Sequence, residues 1–132
     1  MITLHNIING EIVHGSAADG LAGPTLPFFD PATGAQLGTA PDSDAATVDR
    51  AFQAAHTAFQ SYKRTTPAER QAMMLKLADL IEANVDRLLD AEVACTGKPR
   101  QITREIEILR GADQLRFFAG ACRVVSGTAQ TE

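Results

Sequence analysis

Among the side chains in this sequence that could take part in covalent, metal or acid–base chemistry, Cys95, Cys122, His5, His14, His56 and Lys98 are weighed first. A nucleophilic cysteine needs a lowered thiol pKa, which a helix N-terminus or a neighbouring cation supplies. Cys95 instead precedes Thr96-Gly97, where the pattern ends a helix, and the negative partial charge of a helix C-terminus disfavours a thiolate. Neither cysteine lies in a Cys-x-x-Cys or Cys/His pattern, and the histidines have no ligand spacing. Both cysteines therefore read as small buried hydrophobes, and a redox protein built on the pair has little support. Lys98 closes the same helix end, where a cation first serves the helix dipole. The glycines at 10, 15, 20, 23, 34 and 38 fall among turn signals and do not open a helix, so no phosphate-cradling loop is visible. On residue types alone, the expectation is no catalytic and no cofactor-binding residue within the chain.

The composition excludes further classes. With 45% hydrophobic and 21% charged residues, 132 residues are enough for one globular domain. A net charge of −4, without any clustering of Lys or Arg, argues against nucleic-acid or anionic-membrane partners. Met1 to Gly10 has neither a basic nor an apolar leader segment, and no apolar run approaches the ~20 residues that span a bilayer. A cytoplasmic protein is the default.

The elements that must position these residues are a β-rich start and a helical remainder. Asn9-Gly10 between Ile7-Ile8 and Ile12-Val13 predicts a tight hairpin. Gly15 to Gly23 reads as a loop. Leu26-Pro27-Phe28-Phe29, the turn Asp30-Pro31-Ala32-Thr33-Gly34 and a returning strand from Ala35 to Ala40 predict a second hairpin. A first helix starts at Asp42 or Ser43 as N-cap and ends near Tyr62, burying Val48, Ala51, Phe52, Ala55 and Phe59. A second has Thr66 as N-cap, Pro67 at its first position and Glu69 completing a capping box, with Met73, Met74, Leu77, Leu80 and Ile81 as buried stripe. Asn84 caps a third, carrying Val85, Leu88, Leu89 and Val93; left-handed Gly97 ends it, and Pro99 blocks its continuation.

A fourth helix runs from about Gln101 to Val125. One of its seams holds Ile108, Ala112, Leu115, Ala119 and Cys122, and another holds Ile102, Ile106 and Leu109. Gly111 in its middle, costing about 1 kcal/mol against alanine, suggests a close contact or a bend. These helices carry more apolar seams than they can cover for one another.

The order and spacing of several strings resemble the N-terminal part of an aldehyde dehydrogenase. They are Ile8-Asn9-Gly10-Glu11, Asp30-Pro31-Ala32-Thr33-Gly34, Thr65-Thr66-Pro67-Ala68-Glu69-Arg70 running into Leu75 to Glu82, Thr96-Gly97-Lys98-Pro99, and Arg116-Phe117-Phe118-Ala119-Gly120. The last two look most like the aminobutyraldehyde and betaine aldehyde branch. The resemblance covers essentially the whole chain. It implies an α/β family fold, of which residues 1–132 are the N-terminal part of one domain: two β-hairpins over 1–41, about four α-helices over 42–126 and a truncated tail over 127–132.

The implied function is that of an NAD(P)-dependent oxidoreductase converting an aldehyde, of the aminoaldehyde class by those strings, to its carboxylate. The nucleophilic cysteine, general-base glutamate and cofactor loop would come from beyond these residues, so the chain alone is expected to be catalytically incomplete. NAD or NADP is implied by the family, not by any residue of this segment. The resemblance also implies a monovalent cation, K+ or Na+, between the backbone at Phe28-Phe29 and the acidic residue nine positions before Arg116, which is Glu107. The family often has aspartate at that place and asparagine at the place of Asp30. The expected partners are the remainder of the dehydrogenase or further copies of the chain. The alternative is a stand-alone helical interaction module without catalysis, binding through exposed apolar faces.

Overall fold

The computed structural model describes residues 1–13, 23–124, 126, 127 and 130. His14, most of the expected Gly15 to Gly23 loop, Val125 and much of the expected tail lie outside the described residues. The chain divides into two compact units, Met1–Arg64 and Thr65–Glu132.

In the first unit, Asn9 and Gly10 both take positive φ, +54° and +79°, so the two-residue turn forms as its sequence dictates. It joins strands β2 (Asn6–Ile8) and β3 (Glu11–Val13), which pair antiparallel with Ile7 opposite Ile12. The second hairpin also forms, between β4 (Thr25–Phe29) and β5 (Gln36–Pro41). Its turn is held by the Asp30 carboxylate, which accepts from the Ala32 N–H at 2.8 Å, and by Gly34 at φ +73°. The Ala32 amide and then the Thr33 hydroxyl hold the Asp30 carboxyl below its usual pKa.

Two hairpins do not complete the β-structure. Strand β1 (Ile2–Thr3) adds in parallel to β5, giving the order β1-β5-β4. Gly38 makes this pairing feasible, because a Cβ there would collide with the Ile2 carbonyl. A two-residue strand carries no periodicity of its own, so nothing local announces it.

Helix α1 (Ala45–Tyr62) starts at Asp44, whose carboxylate accepts from the Thr47 N–H at 2.7 Å, one or two residues beyond the expected cap. Its inward face also differs from expectation. Thr47 is buried and Arg50, Ala51 and Ala54 are half-buried, whereas Val48, Phe52, Ala55 and Phe59 are exposed, Phe52 by 71%. The small residues lie against the β2–β3 hairpin because they admit close approach, so the bulky stripe faces outward.

In the second unit, helix α2 (Pro67–Ala83) has the expected capping box: the Glu69 N–H donates to Thr66 Oγ1 at 3.2 Å and the Thr66 N–H to Glu69 Oε2 at 2.6 Å. Its buried line is Met74, Ala78 and Ile81, and Met73, Leu77 and Leu80 are exposed. The expected stripe thus merges two seams, and the one containing alanine is chosen for packing. Helix α3 (Val85–Thr96) ends on Gly97 at φ +69°, as its sequence requires, with Leu89 buried. Asn84 does not cap it; its amide donates to the Leu80 carbonyl at 2.8 Å and closes α2 instead.

The expected fourth helix is compound: α4 (Arg100–Ile102), a π-helical segment Thr103–Leu109, and α5 (Arg110–Ala121). Fully buried Thr103 donates from both its N–H and its hydroxyl to the Pro99 carbonyl, at 3.1 and 3.0 Å. Such back-bonding weakens the α ladder and bends helices, which accounts for the irregularity lying ahead of Gly111 rather than at it. A Cβ at Gly111 would meet nothing within 4 Å, so no close contact explains that glycine. Of the two expected seams, Ala112 and Ala119 are buried with Ile108, Leu115 and Cys122 beside them, and Ile102 and Ile106 are exposed. Helices α2 and α5 pack together along their alanines.

Candidate functional site

Cys95 lies on the last turn of α3 and is exposed, and Cys122 is half-buried with Sγ 3.6 Å from Met74 Sδ. The expectation that both are buried therefore fails for Cys95. Two residues past half-buried Val93, it is turned by about 200° from the packed face. His5 and His56 are exposed, with the His56 ring 3.1 Å from the Gln60 amide. Among the described residues, no three His, Cys, Asp or Glu converge as a metal would need.

The residues do not fit a dinucleotide pyrophosphate, which wants free N–H groups at a helix start and a glycine that lets the backbone come close. The described glycines with positive φ, Gly10, Gly34 and Gly97, lie in two hairpin turns and at a helix C-terminus. The N-termini of α1 and α2 are already served by acids of their own, Asp44 and Glu69, and α3, which starts without a capping side chain, has Asp86 in its first turn and no glycine beside Asn84. The Thr66 amide and hydroxyl hold the Glu69 carboxyl below its usual pKa, so it stays anionic where a phosphate would have to sit.

The residues singled out for a cation fall in different units. In the first unit Phe28 is half-buried and Phe29 is exposed at the end of β4, where the pairing skips from Phe28–Gly38 to Phe29–Gln36 and leaves Leu37 unmatched. In the second unit Glu107 lies in the π-helical segment. Its carboxylate is engaged: Lys98 Nζ is 2.8 Å from Glu107 Oε2 and 3.2 Å from Glu92 Oε1. Glu107 first and Glu92 second raise the Lys98 pKa, which fixes the ammonium form. A carboxylate already balanced by an ammonium does not fit the role of charged ligand to an alkali ion. Glu92, Glu107, Ile81, Leu88 and Ile108 line an open depression of about 400 Å³.

Arg116, singled out only as part of a string, ties α5 to α2 at their surface. It donates to Glu82 Oε1 and Oε2 at 2.6 and 2.7 Å and to Asp79 Oδ1 at 2.8 Å, bridging α5 to α2. The Arg116 hydrogen bond holds the Glu82 carboxyl below its usual value. The available signal was the spacing of Asp79 and Glu82, three apart on one helix face. Two further charged pairs join α3 to the compound helix, with Arg100 2.7 Å from Asp90 and Arg104 3.9 Å from Asp86.

A mixed β-sheet and hairpin with one helix, followed by a helical unit, define a segment of mixed α/β structure. Residues 19–132 match the aldehyde dehydrogenase family. Aldehyde dehydrogenase 1 of Tanacetum cinerariifolium is 39% identical over 122 residues, 91% of this chain and 23% of that protein. The 2-aminomuconic semialdehyde dehydrogenase of Danio rerio is 37% identical over 120 residues, again 91% of this chain and 23% of that protein. Among solved structures, the NAD+ complex of the aldehyde dehydrogenase from Bacillus cereus superposes with a TM-score of 0.83 at 31% identity, over 99% of this chain and 26% of that one. The chain belongs to the aldehyde dehydrogenase family, and it spans about a quarter of the length of the relatives it matches. Nothing in these likenesses favours a stand-alone interaction module.

Proposed function

We propose that the chain serves as the N-terminal portion of an NAD(P)-dependent aldehyde dehydrogenase, which oxidises an aldehyde to a carboxylate: water supplies the second oxygen, NAD or NADP takes the hydride and two protons are released. The observation that carries this reading is the family match over residues 19–132. Within the enzyme these residues supply scaffold, and the thiolate, the general base and the cofactor loop belong to the remaining portion. Residues 1–132 are read as part of one dehydrogenase domain, with strands over 1–41, helices over 42–126 and a tail over 127–132. The substrate reading, an aminoaldehyde, rests on Thr96-Gly97-Lys98-Pro99 and Arg116-Phe117-Phe118-Ala119-Gly120-Ala121. A cytoplasmic location within an oligomer goes with the same proposal. Its support is an acidic chain without basic clusters, in which no described helix is long and apolar enough to cross a membrane.

A chimera tests the proposal: the matching segment of the Tanacetum cinerariifolium relative is replaced by this chain, and NAD(P)H formation is followed with aliphatic aldehydes and with aminobutyraldehyde. Retained aldehyde oxidation is expected, with the unfused chain inactive. A folded chimera without activity, or steady aldehyde-dependent NAD(P)H formation by the unfused chain, would overturn the reading.

A further inference from the structure

We infer that the outward face of α1 is a docking surface for the same face of a second copy of this chain, the two helices running antiparallel. Val48, Phe52, Ala55, Phe59 and Tyr62 are all exposed, and they follow one another at intervals of four, three, four and three residues. That alternation is the narrow seam of a helix paired lengthwise with another helix, whereas a helix lying on its own core carries a broader stripe. The side of α1 that packs within its own unit is a different one, where Thr47, Ala51 and Ala54 lie toward the β2–β3 hairpin. The seam is left over once that packing is complete.

Shape and charge both make the seam complementary to itself. A knob from a facing helix enters a hole formed by residues i, i+3, i+4 and i+7, and Val48, Ala51, Phe52 and Ala55 form one in which two alanines leave room. A depression of about 180 Å³ lies at that place, lined by Val48, Ala51 and Phe52 from the helix and by exposed Ile7 from β2. When antiparallel helices cross between Ala55 and His56, the side chain opposite this hole is Phe59 of the second copy. By two-fold symmetry the first copy's Phe59 fills the matching hole. Asp49 and Lys63, both exposed, lie about 60–100° to the same side of the seam's midline. In an antiparallel pair each flank meets its own equivalent, so Asp49 of each copy comes beside Lys63 of the other and the helix dipoles oppose. The Lys63 ammonium is held at the seam's edge, 5.6 Å from the centre of the Phe59 ring and 2.6 Å from Gln60 Oε1. Two helices of this length bury on the order of 1,000 Å², the lower end of specific association, so the dimer is weak and reversible. Below its dissociation range the seam is solvated, and its side chains then add little to the stability of the single chain.

The inference concerns this chain's own surface and does not rest on the dehydrogenase reading, so either can fail alone. The test is sedimentation equilibrium of the full chain across the micromolar range at low salt, with circular dichroism to confirm that each variant is folded. The native chain is expected to be a reversible dimer, and Phe59→Glu to be monomeric throughout. Asp49→Lys and Lys63→Asp should each weaken self-association by about tenfold, because each sets like charges opposite one another at both ends of the seam. Both changes in one chain should restore the native affinity. An equimolar mixture of the two single variants should associate more tightly than either alone, since only the mixed pair has opposite charges at both ends. If Phe59→Glu does not fold, the charge exchanges decide. A native chain that stays monomeric would overturn the inference and leave this face to the remaining portion of a dehydrogenase. Self-association unmoved by the charge exchanges, or a mixture no tighter than its components, would also overturn it by placing the contact on another apolar face.

Discussion

In Met1–Arg64 the bonds that tie distant parts of the chain together are largely peptide to peptide. Strand β5 takes β1 on one edge and β4 on the other, the Leu4 N–H donates to the Thr39 carbonyl at 2.9 Å, and the Asp42 N–H donates to the Pro24 carbonyl at 2.9 Å. In Thr65–Glu132 the helices satisfy their own backbones, so their union depends on side chains: buried Ala78, Ala112 and Ala119, the Arg116 fork on Asp79 and Glu82, and Lys98 between Glu92 and Glu107. The difference teaches why apolar residues are left outside in both units but for different reasons. A backbone ladder pairs strands whatever their side chains, so the hairpin accepts the small face of α1 and leaves Phe52 and Phe59 exposed. Helix pairing on alanine brings backbones close and commits one seam, leaving the second seam of α2 and of the compound helix outward.

The largest effect expected from breaking this contrast lies in the side-chain-held unit. Ala78→Leu should cost about 1–3 kcal/mol, because the added volume has no space where α2 meets α5. Denaturant melts with probes in each unit should show the loss in the helical unit; an unshifted midpoint would mean that the alanine line is not the contact that matters. In the backbone-held unit, Gly38→Ala should release β1, since the new Cβ collides with the Ile2 carbonyl. Hydrogen exchange at the Leu4 amide would then rise while exchange within α2 stays unchanged. Persisting protection at Leu4 would show that the β1 backbone can shift and keep its pairing.

A smaller effect sharpens the electrostatic side of the comparison. Arg116 holds Glu82 below its usual pKa of 4.5, so the stabilisation is present above that value and is lost as pH falls through the lowered one. Acid melts from about pH 5 to about pH 3 should therefore be steeper for the native chain than for Glu82→Gln. Equal slopes would reduce the Arg116 fork to a surface contact. The smallest change is expected at Phe52→Ser, within about 0.5 kcal/mol of the native chain, because the ring is 71% exposed in α1. A loss well beyond that would show that α1 buries its bulky face in solution and would reverse the assignment of its inner side.

Several features were legible in the sequence because few residues decide them. Asn9-Gly10 supplies positive φ at both turn positions, Thr66, Pro67 and Glu69 satisfy a helix start among themselves, and Gly97 before Pro99 ends a helix within three residues. The motifs that led to the family are of the same short-range kind. The partner of Lys98 was not legible, since Glu107 is nine residues away and reaches the lysine only through the helix that intervenes.

By itself the sequence determined the hairpin turns, the start of α2, the end of α3 and the two apolar seams of the last helix. Tertiary structure decided that β1 joins β5 in parallel, that the alanine-bearing seams of α1 and α2 pack inward, that Thr103 diverts the last helix into a π-helical stretch, and that Lys98 lies between two carboxylates. The division follows from range. A turn or cap is settled by backbone dihedrals and hydrogen bonds within a few residues, whereas the choice between two equally apolar faces depends on how closely the surface packed against each one can approach.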